Sequence, residues 1–272
     1  MAMKRTAGDF LGAAGTEEAR LLAQCELHRM EAELLFDRIC VECGWHVLDL
    51  GCGPLGVLDI LAERTGRRGS VVGLDRDPAM LEAAAPSLAR RGVTDVQLVR
   101  GEVTATGLPT ASFDLVHERL LLSDVACPEN VVTEMVRLVR PGGFVALQDA
   151  DVISWTCEPA CPAWERLAHA LTSTCIGDPH VGRRLPGMLR AAGLVDVEVD
   201  VQAGLWRPGE PHHTLLPCLV DLYRDRILAS GTLTEPDLDA CLRDVEAHLA
   251  RPDTIVLGWT LFQAWGRRPF TI

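Results

Sequence analysis

Apolar residues along this chain alternate between helical spacing and short continuous runs, and the alternation recurs. In 16–40, Ala19, Leu22, Ala23, Leu27, Met30, Leu34 and Leu35 recur every three or four positions, which predicts one amphipathic helix. Thr16 is its expected cap, and Glu17 and Glu18 suit the positive end of the helix dipole. Val47, Leu48 and Leu50 then form an apolar run that stops at glycine, as a buried strand does, and 57–64 returns to helical spacing. Ser70–Asp75 predicts a second strand, and Asp77 with Pro78 starts a helix reaching Arg90. Val96–Arg100, 112–117 and 144–148 predict three more strands, with a helix over 128–140 closed by Pro141, Gly142 and Gly143. A helix is expected over 186–192. Alternating Val with Asp and Glu over 195–201 predicts a sixth strand. Helices are expected over 212–230 and 235–250, the second entered at Thr234, Glu235 and Pro236, and 254–265 reads as the last strand. Strands alternating with helices predict an α/β fold around an open, mostly parallel sheet.

The chemistry gathers at 46–56, where the first strand breaks into Gly51, Gly53 and Gly56, spaced G-x-G-x-x-G, before a helix. Glycine lets the backbone approach a ligand, and a helix start offers unpaired N–H groups. The spacing also fits a dinucleotide site. Asp49 decides between them. A carboxylate two residues before the first glycine repels a pyrophosphate and attracts a ligand carrying ammonium and sulfonium charge.

Leu48, Asp49, Leu50, Gly51, Cys52, Gly53 and Pro54 together resemble the first motif of class I S-adenosylmethionine (SAM)-dependent methyltransferases. Leu138, Val139, Arg140, Pro141, Gly142 and Gly143 before the fifth strand carry a second resemblance. Within that class the chain looks like the UbiE-like, small-molecule type. The segment 177–194 and the stretch 262–269 are similar to an actinobacterial group found near secondary-metabolite genes.

The resemblance implies a doubly wound, Rossmann-like sheet of seven strands, the last antiparallel, with a helical lid. One domain over 1–272 is expected: a SAM-binding core at 43–150, with 1–42, 152–190 and 205–250 as lid segments. SAM, with S-adenosylhomocysteine as product, is the implied cofactor, lying across the ends of the first three strands. Asp49, Gly51 and Gly53 form its corner. Asp75, 24 residues after Gly51, accepts the ribose hydroxyls, with Arg76 beside it. Met80 and Val103 supply apolar faces for the adenine, and Glu102, after Gly101, reaches its amino group. Gln24 and Arg20 would face the ligand from the leading helix, although the plainer reading of each is the polar outer face of that helix.

For the reacting centre, strand ends at the carboxyl side of an open α/β sheet face the ligand crevice, which places His117, Glu118 and Arg119 near it, as bases or as caps of the crevice. His117 is the best-placed candidate, as base and as cofactor neighbour; Asp149, Asp151 and His180 are the others. The plainer reading of His180 is a loop residue, and that of Asp151 a helix cap. Trp155, Trp164, Trp206 and Tyr223 fall in the lid and suit an aromatic wall for a planar or cationic acceptor; each alone also reads as core. Together they favour an aromatic or heteroaromatic small molecule, methylated on oxygen, nitrogen or carbon.

Composition removes several alternatives. A net charge of −12 and a pI near 5.1 argue against nucleic-acid substrates. No apolar run approaches the roughly 18 residues of a membrane span. The basic N-terminus has no apolar core after it, so no secretory signal is expected and a cytoplasmic setting is. Lys4 is the only lysine and Tyr223 the only tyrosine, which excludes a P-loop lysine, a pyridoxal-phosphate lysine and a Tyr/Lys reductase pair. The excess of arginine suggests a GC-rich bacterial genome. Ten cysteines do not make a small-protein disulfide framework. Cys40 with Cys43 and Cys157 with Cys161 can be read as halves of a zinc site, but buried reduced thiols are the plainer reading, and no metal is expected. The oligomeric state is left open, a homodimer among the options. A dehydrogenase, a methyltransferase-fold cyclase that keeps SAM as a structural cation, and a scaffold with a decayed site are the competing functions. Asp49 and the missing Tyr/Lys pair argue against the dehydrogenase; bound SAM that is consumed marks a methyltransferase, bound SAM never consumed the cyclase, and no SAM uptake the scaffold.

Overall fold

A computed structural model of the chain describes residues 17–270; the expected Thr16 cap lies outside the described residues. The predicted leading helix is two helices, α1 (Glu17–Leu27) and α2 (Arg29–Ile39), parted at His28. Only α2 buries side chains fully, including Leu35 and Phe36. The imidazole of His28 is buried beside Trp259, and burial, with Arg119 nearby, pushes its pKa down to about 3.

The alternating units follow: β1 (His46–Leu50), α3 (Leu58–Thr65), β2 (Ser70–Asp75), α4 (Pro78–Arg90), β3 (Val96–Arg100), β4 (Phe113–Arg119), α5 (Pro128–Leu138) and β5 (Val139–Asp151). Asp77 caps α4 through Ala79 N–H, as its sequence predicts. Next come β6 (Thr156–Glu158), α6 (Pro162–Thr172), α7 (Leu185–Ala191), β7 (Val195–Trp206), α8 (Leu215–Leu222), α9 (Arg224–Ser230), α10 (Glu235–Leu249) and β8 (Ile255–Arg267).

The sheet runs β3-β2-β1-β4-β5-β8, with β7 on the far side of β8. β1 to β5 are parallel, and β8 runs against both β5 and β7. The expected seven-stranded, doubly wound plan is therefore present, with an eighth short strand. β6 resumes the column of β5: Asp151 faces Thr260 on β8, and Thr156 faces Leu257 after a 3-10 turn at Val152–Ser154. The fifth strand is longer than expected because pairing with β8 continues to Asp151, past the predicted stop at 148.

Each sheet face is covered. Val131, Val132, Met135 and Leu138 of α5 fall on one helix face and pack with Leu185 and Leu189 of α7 against the strands. On the other face lie Leu35 and Phe36 of α2 and Leu58 and Leu61 of α3. A separate core joins α6, α8 and α10 around Trp164, Leu216 and Leu238. Burying one such side chain contributes about 1.5–3 kcal/mol. This third core lets the helices of the second half hold together beyond the carboxyl ends of the strands. Among the described residues, no helix is long and apolar enough to cross a membrane.

Cys40 and Cys43 are exposed ahead of β1, whereas Cys157 and Cys161 are buried in the third core. The buried-thiol expectation therefore fails for the first pair, which sits in a solvent-facing turn.

Candidate cofactor and acceptor site

A cavity of about 530 Å³ opens at the carboxyl ends of β1, β2 and β4, within the usual range for small-molecule sites of about 300–1,000 Å³. Gly51, Cys52 and Pro54 form its floor. Asp75, Met80, Glu102 and Val103 form one wall, with Arg76 and Asp77 at its edge. The β2-end carboxylate is pinned: Gly53 N–H donates to Asp75 Oδ2 and Asp77 N–H to Oδ1, both at 2.9 Å. It stays half-exposed, with lone pairs free for a diol. From α1, Arg20, Leu21, Gln24 and Cys25 reach the same cavity. Arg20 is already engaged, by Glu17 and by Gln24 Oε1 at 2.9 Å. Gly53 and Gly101 act through backbone only and stand off the wall.

Asp49 sits differently from its expected place. It is buried beneath the glycine turn and off the cavity wall. Its Oδ2 accepts from Val57 N–H at 3.2 Å, and its Oδ1 lies 2.7 Å from His117 Nδ1. A Cβ on Gly56 would fall 2.2 Å from Asp49 Oδ2, and φ there is +53°. The third glycine thus makes room for the carboxylate under the turn.

The four expected bases are all away from the cavity wall. His117 is fully buried between Asp49 and Gln148, whose Oε1 is 2.9 Å from Nε2, because its strand position points into the sheet–helix interface against Phe36. Asp149 is fully buried and accepts from Ser123 N–H at 3.1 Å and Ala150 N–H at 2.8 Å. Burial drives its pKa up to about 7. Asp151 caps the following turn through Ile153 N–H at 3.0 Å and pairs with Arg183 and with His180 Nδ1, so the cap reading describes it. His180 is held by that Nδ1 contact.

Beneath the exit of β4 the buried Glu118 works beside Asp149. Its Oε2 accepts from Leu121 N–H at 3.3 Å, and burial together with the charge of Asp149 holds its pKa well above the carboxylate range. The two acids grip the 120–124 turn from below. Gly177 packs on it from another side: a Cβ there would meet the carbonyl oxygens of Ser123 and Val125 at 2.6 Å. The turn therefore presents Leu121, Ser123 and Asp124 to the cavity in a fixed position.

Of the four expected aromatic residues, Trp155 and Tyr223 line the cavity. Trp164 and Trp206 are buried in the third core and stand behind the wall. Trp259, on β8, completes the wall; its ring meets Trp155 edge-on at 5.3 Å and Trp206 at 5.8 Å. Sequence reading passed over Trp259 because it lies within a strand, and Asp124 because the turn after β4 carries no motif. Arg119, expected near the reacting centre as a base or a cap of the crevice, ends β4. It lines the cavity, its guanidinium fixed to the carbonyls of His28 at 3.1 Å and Gly56 at 3.0 Å; Glu31 feels its charge, but no carboxylate among the described residues is in ion-pair contact with it.

Fold and site together define a class: α/β proteins that hold a nucleoside-bearing, positively charged ligand across strand ends. The carboxylates of Asp75, Asp77 and Glu102 suit a cation, and Met80 and Val103 suit a flat base. The family described as "Methyltransferase domain" matches residues 47–143. Trans-aconitate 2-methyltransferase of Methylobacterium radiotolerans is 32% identical over 198 residues, covering 69% of this chain and 69% of that protein. Demethylmenaquinone methyltransferase of Listeria monocytogenes is 32% identical over 130 residues, covering 48% of this chain and only 52% of that protein. Among solved structures, phosphoethanolamine N-methyltransferase 2 of Haemonchus contortus shares the fold with a TM-score of 0.59 at 16% identity, covering 98% of this chain and 61% of that one. The chain belongs to the class I SAM-dependent methyltransferases.

Proposed function

We propose that the protein transfers the methyl group of SAM to an aromatic or heteroaromatic small molecule. The observation that carries this is the continuity of one cavity, from the glycine turn and Asp75 to the wall of Trp155, Trp259 and Tyr223. The relatives' names, with trans-aconitate and demethylmenaquinone as acceptors, support a small molecule.

In this reading Asp75 holds the ribose, Met80, Glu102 and Val103 hold the adenine, and Gly51 lets the backbone approach. Arg119 offers its charge to the cofactor's carboxylate, and Asp49 supports the turn from beneath. SAM supplies an already activated methyl group, so the protein contributes proximity, alignment and exclusion of water. The segments 152–190 and 205–250, with the leading helices, act as the lid of a single domain. The enzyme works in the cytoplasm, without nucleic-acid or membrane partners.

The test is incubation with SAM and a panel of small aromatic metabolites, with S-adenosylhomocysteine and methylated product both quantified. Product formed in step with SAM consumption is expected. SAM bound but never consumed by any acceptor contradicts methyl transfer and favours a cyclase that keeps it as a cation.

A further inference from the structure

His117, Asp149, Asp151 and His180 are all withdrawn from the cavity, which leaves open what receives a proton there. Asp124 ends the 3-10 turn Leu122–Asp124 after β4 and lines the cavity. Its carboxylate has no hydrogen bond and no ion pair among the described residues, unlike Asp75, Asp149 and Asp151, which are all tied down. Charged and titratable groups face it from four directions: Glu17 and Arg20 of α1, Arg76 after β2, Cys175 after α6, and Tyr223 with Arg226 at the α8–α9 junction. The two nearest cations are otherwise engaged. Arg20 is bound to Glu17 and Gln24. Arg226 donates to Thr174 O at 3.0 Å and lies 5.3 Å over the Tyr223 ring.

We propose that Asp124 is the general base of methyl transfer, and that the acceptor presents to it a hydroxyl group on a planar ring seated against Trp155 and Tyr223. This rests on the reading of the site as a SAM-dependent methyltransferase. In the step, the acceptor oxygen forms a bond to the methyl carbon as the methyl–sulfur bond breaks. The bond's electron pair stays on sulfur as a neutral thioether, and the hydroxyl proton passes to the Asp124 carboxylate.

Three features suit this role. The turn that carries Asp124 is fixed from below by Glu118 and Asp149 and from the side by Gly177, so the base is positioned by backbone. The carboxylate is unpaired, so a proton can reach it without breaking a protein contact. Asp124 is exposed toward the open cavity, where partial desolvation raises its affinity for a proton while Arg20 and Arg226 pull the other way. A carboxylate acceptor has no proton to give, and it would meet Asp124 as a like charge.

The test compares wild type with Asp124→Asn, which keeps the side chain's shape. Protein carrying aspartate labelled with carbon-13 at the side-chain carboxyl is titrated by NMR in its complex with S-adenosylhomocysteine; the variant identifies the Asp124 signal. Turnover is followed against pH with hydroxylated benzenes and indoles as probes, and with the matching benzoates. The signal is expected to titrate above the ordinary carboxylate value of about 3.9. With a hydroxylated probe, kcat is expected to fall at least ~100-fold in the variant. KM and S-adenosylhomocysteine affinity should stay within about twofold, and the acidic limb of the wild-type profile should vanish. Titration at or below the ordinary value overturns the proposal. So does an unchanged kcat, a change in KM alone, or turnover of benzoates in place of hydroxylated rings. Wild type that binds S-adenosylhomocysteine and methylates none of the hydroxylated probes overturns it too, whereas failure to bind S-adenosylhomocysteine overturns the reading beneath it.

Discussion

The two halves of the cavity are held in place by different means. On the strand-end half, backbone N–H groups grip the side chains: Gly53 and Asp77 hold Asp75, Val57 holds Asp49, and Leu121 and Ser123 hold Glu118 and Asp149. On the helical half, side chains hold one another: Arg20 with Glu17, Arg226 over Tyr223, Trp155 against Trp259. A site built on backbone is fixed by the fold, while a site built on side chains changes with a few substitutions. The proposed function uses this difference: the cofactor, common to every such reaction, falls to the first half and the acceptor to the second.

The comparison can be broken or sharpened at several points. The largest effect is expected from Trp164→Ala. The indole is almost wholly buried and donates to Trp155 O at 3.2 Å, so its loss should cost about 3–5 kcal/mol of stability in denaturant unfolding. Cofactor affinity of the folded variant should barely move. A parallel loss of S-adenosylhomocysteine affinity would show that the halves are not separable.

Asp75→Ala comes next. Losing charge-assisted hydrogen bonds worth about 1.5–3 kcal/mol each should weaken S-adenosylhomocysteine binding about 100-fold by calorimetry, with the fold intact by circular dichroism. Normal affinity in that variant removes Asp75 from the cofactor site.

Third is Glu134, which braces the loop carrying Glu102 and Val103. It accepts from Thr106 N–H at 3.0 Å and pairs with Arg137 at 2.7 Å. The Arg137 hydrogen bond outweighs burial and holds its pKa down to about 2. A folded-state pKa below the unfolded one gives stability that is present above about 4.3 and lost as pH falls toward 2. Glu134→Gln should therefore cost about 1–2 kcal/mol at pH 7 and almost nothing near pH 2, measured by unfolding at both. An equal cost at both would assign the effect to shape.

The smallest effect concerns the turn between the halves. Glu118 and Asp149 hold raised pKa values because both are buried and their charges repel. The folded state therefore binds more protons than the unfolded one, so stability should decline as pH rises through about 7. Glu118→Gln should flatten that decline by about 1 kcal/mol in thermal unfolding at pH 6 and pH 9. An unaltered slope would mean that another group sets it.

Most of the strand-end half was legible because short range decides it. β2 and β3 fall at the residues their apolar runs mark, and Asp77 and Thr234 cap the helices their sequences announce. Asp75 faces the cavity because it ends a strand. His117 shows where that logic stops: also near a strand end, it is buried by α2, a partner that local sequence does not name. The same holds for Trp164 and Trp206, whose spacing could not separate wall from core, and for Asp124, positioned by Glu118, Asp149 and Gly177 from three other segments. Gly177 is the one local signal in that region. It marks a close approach, and the thing approached was the missing piece.

The central claim is that the strand-end half binds SAM, and isothermal calorimetry tests it most directly. Purified protein should bind both SAM and S-adenosylhomocysteine with micromolar dissociation constants, without any acceptor present. A folded protein that takes up neither would contradict the account at its base.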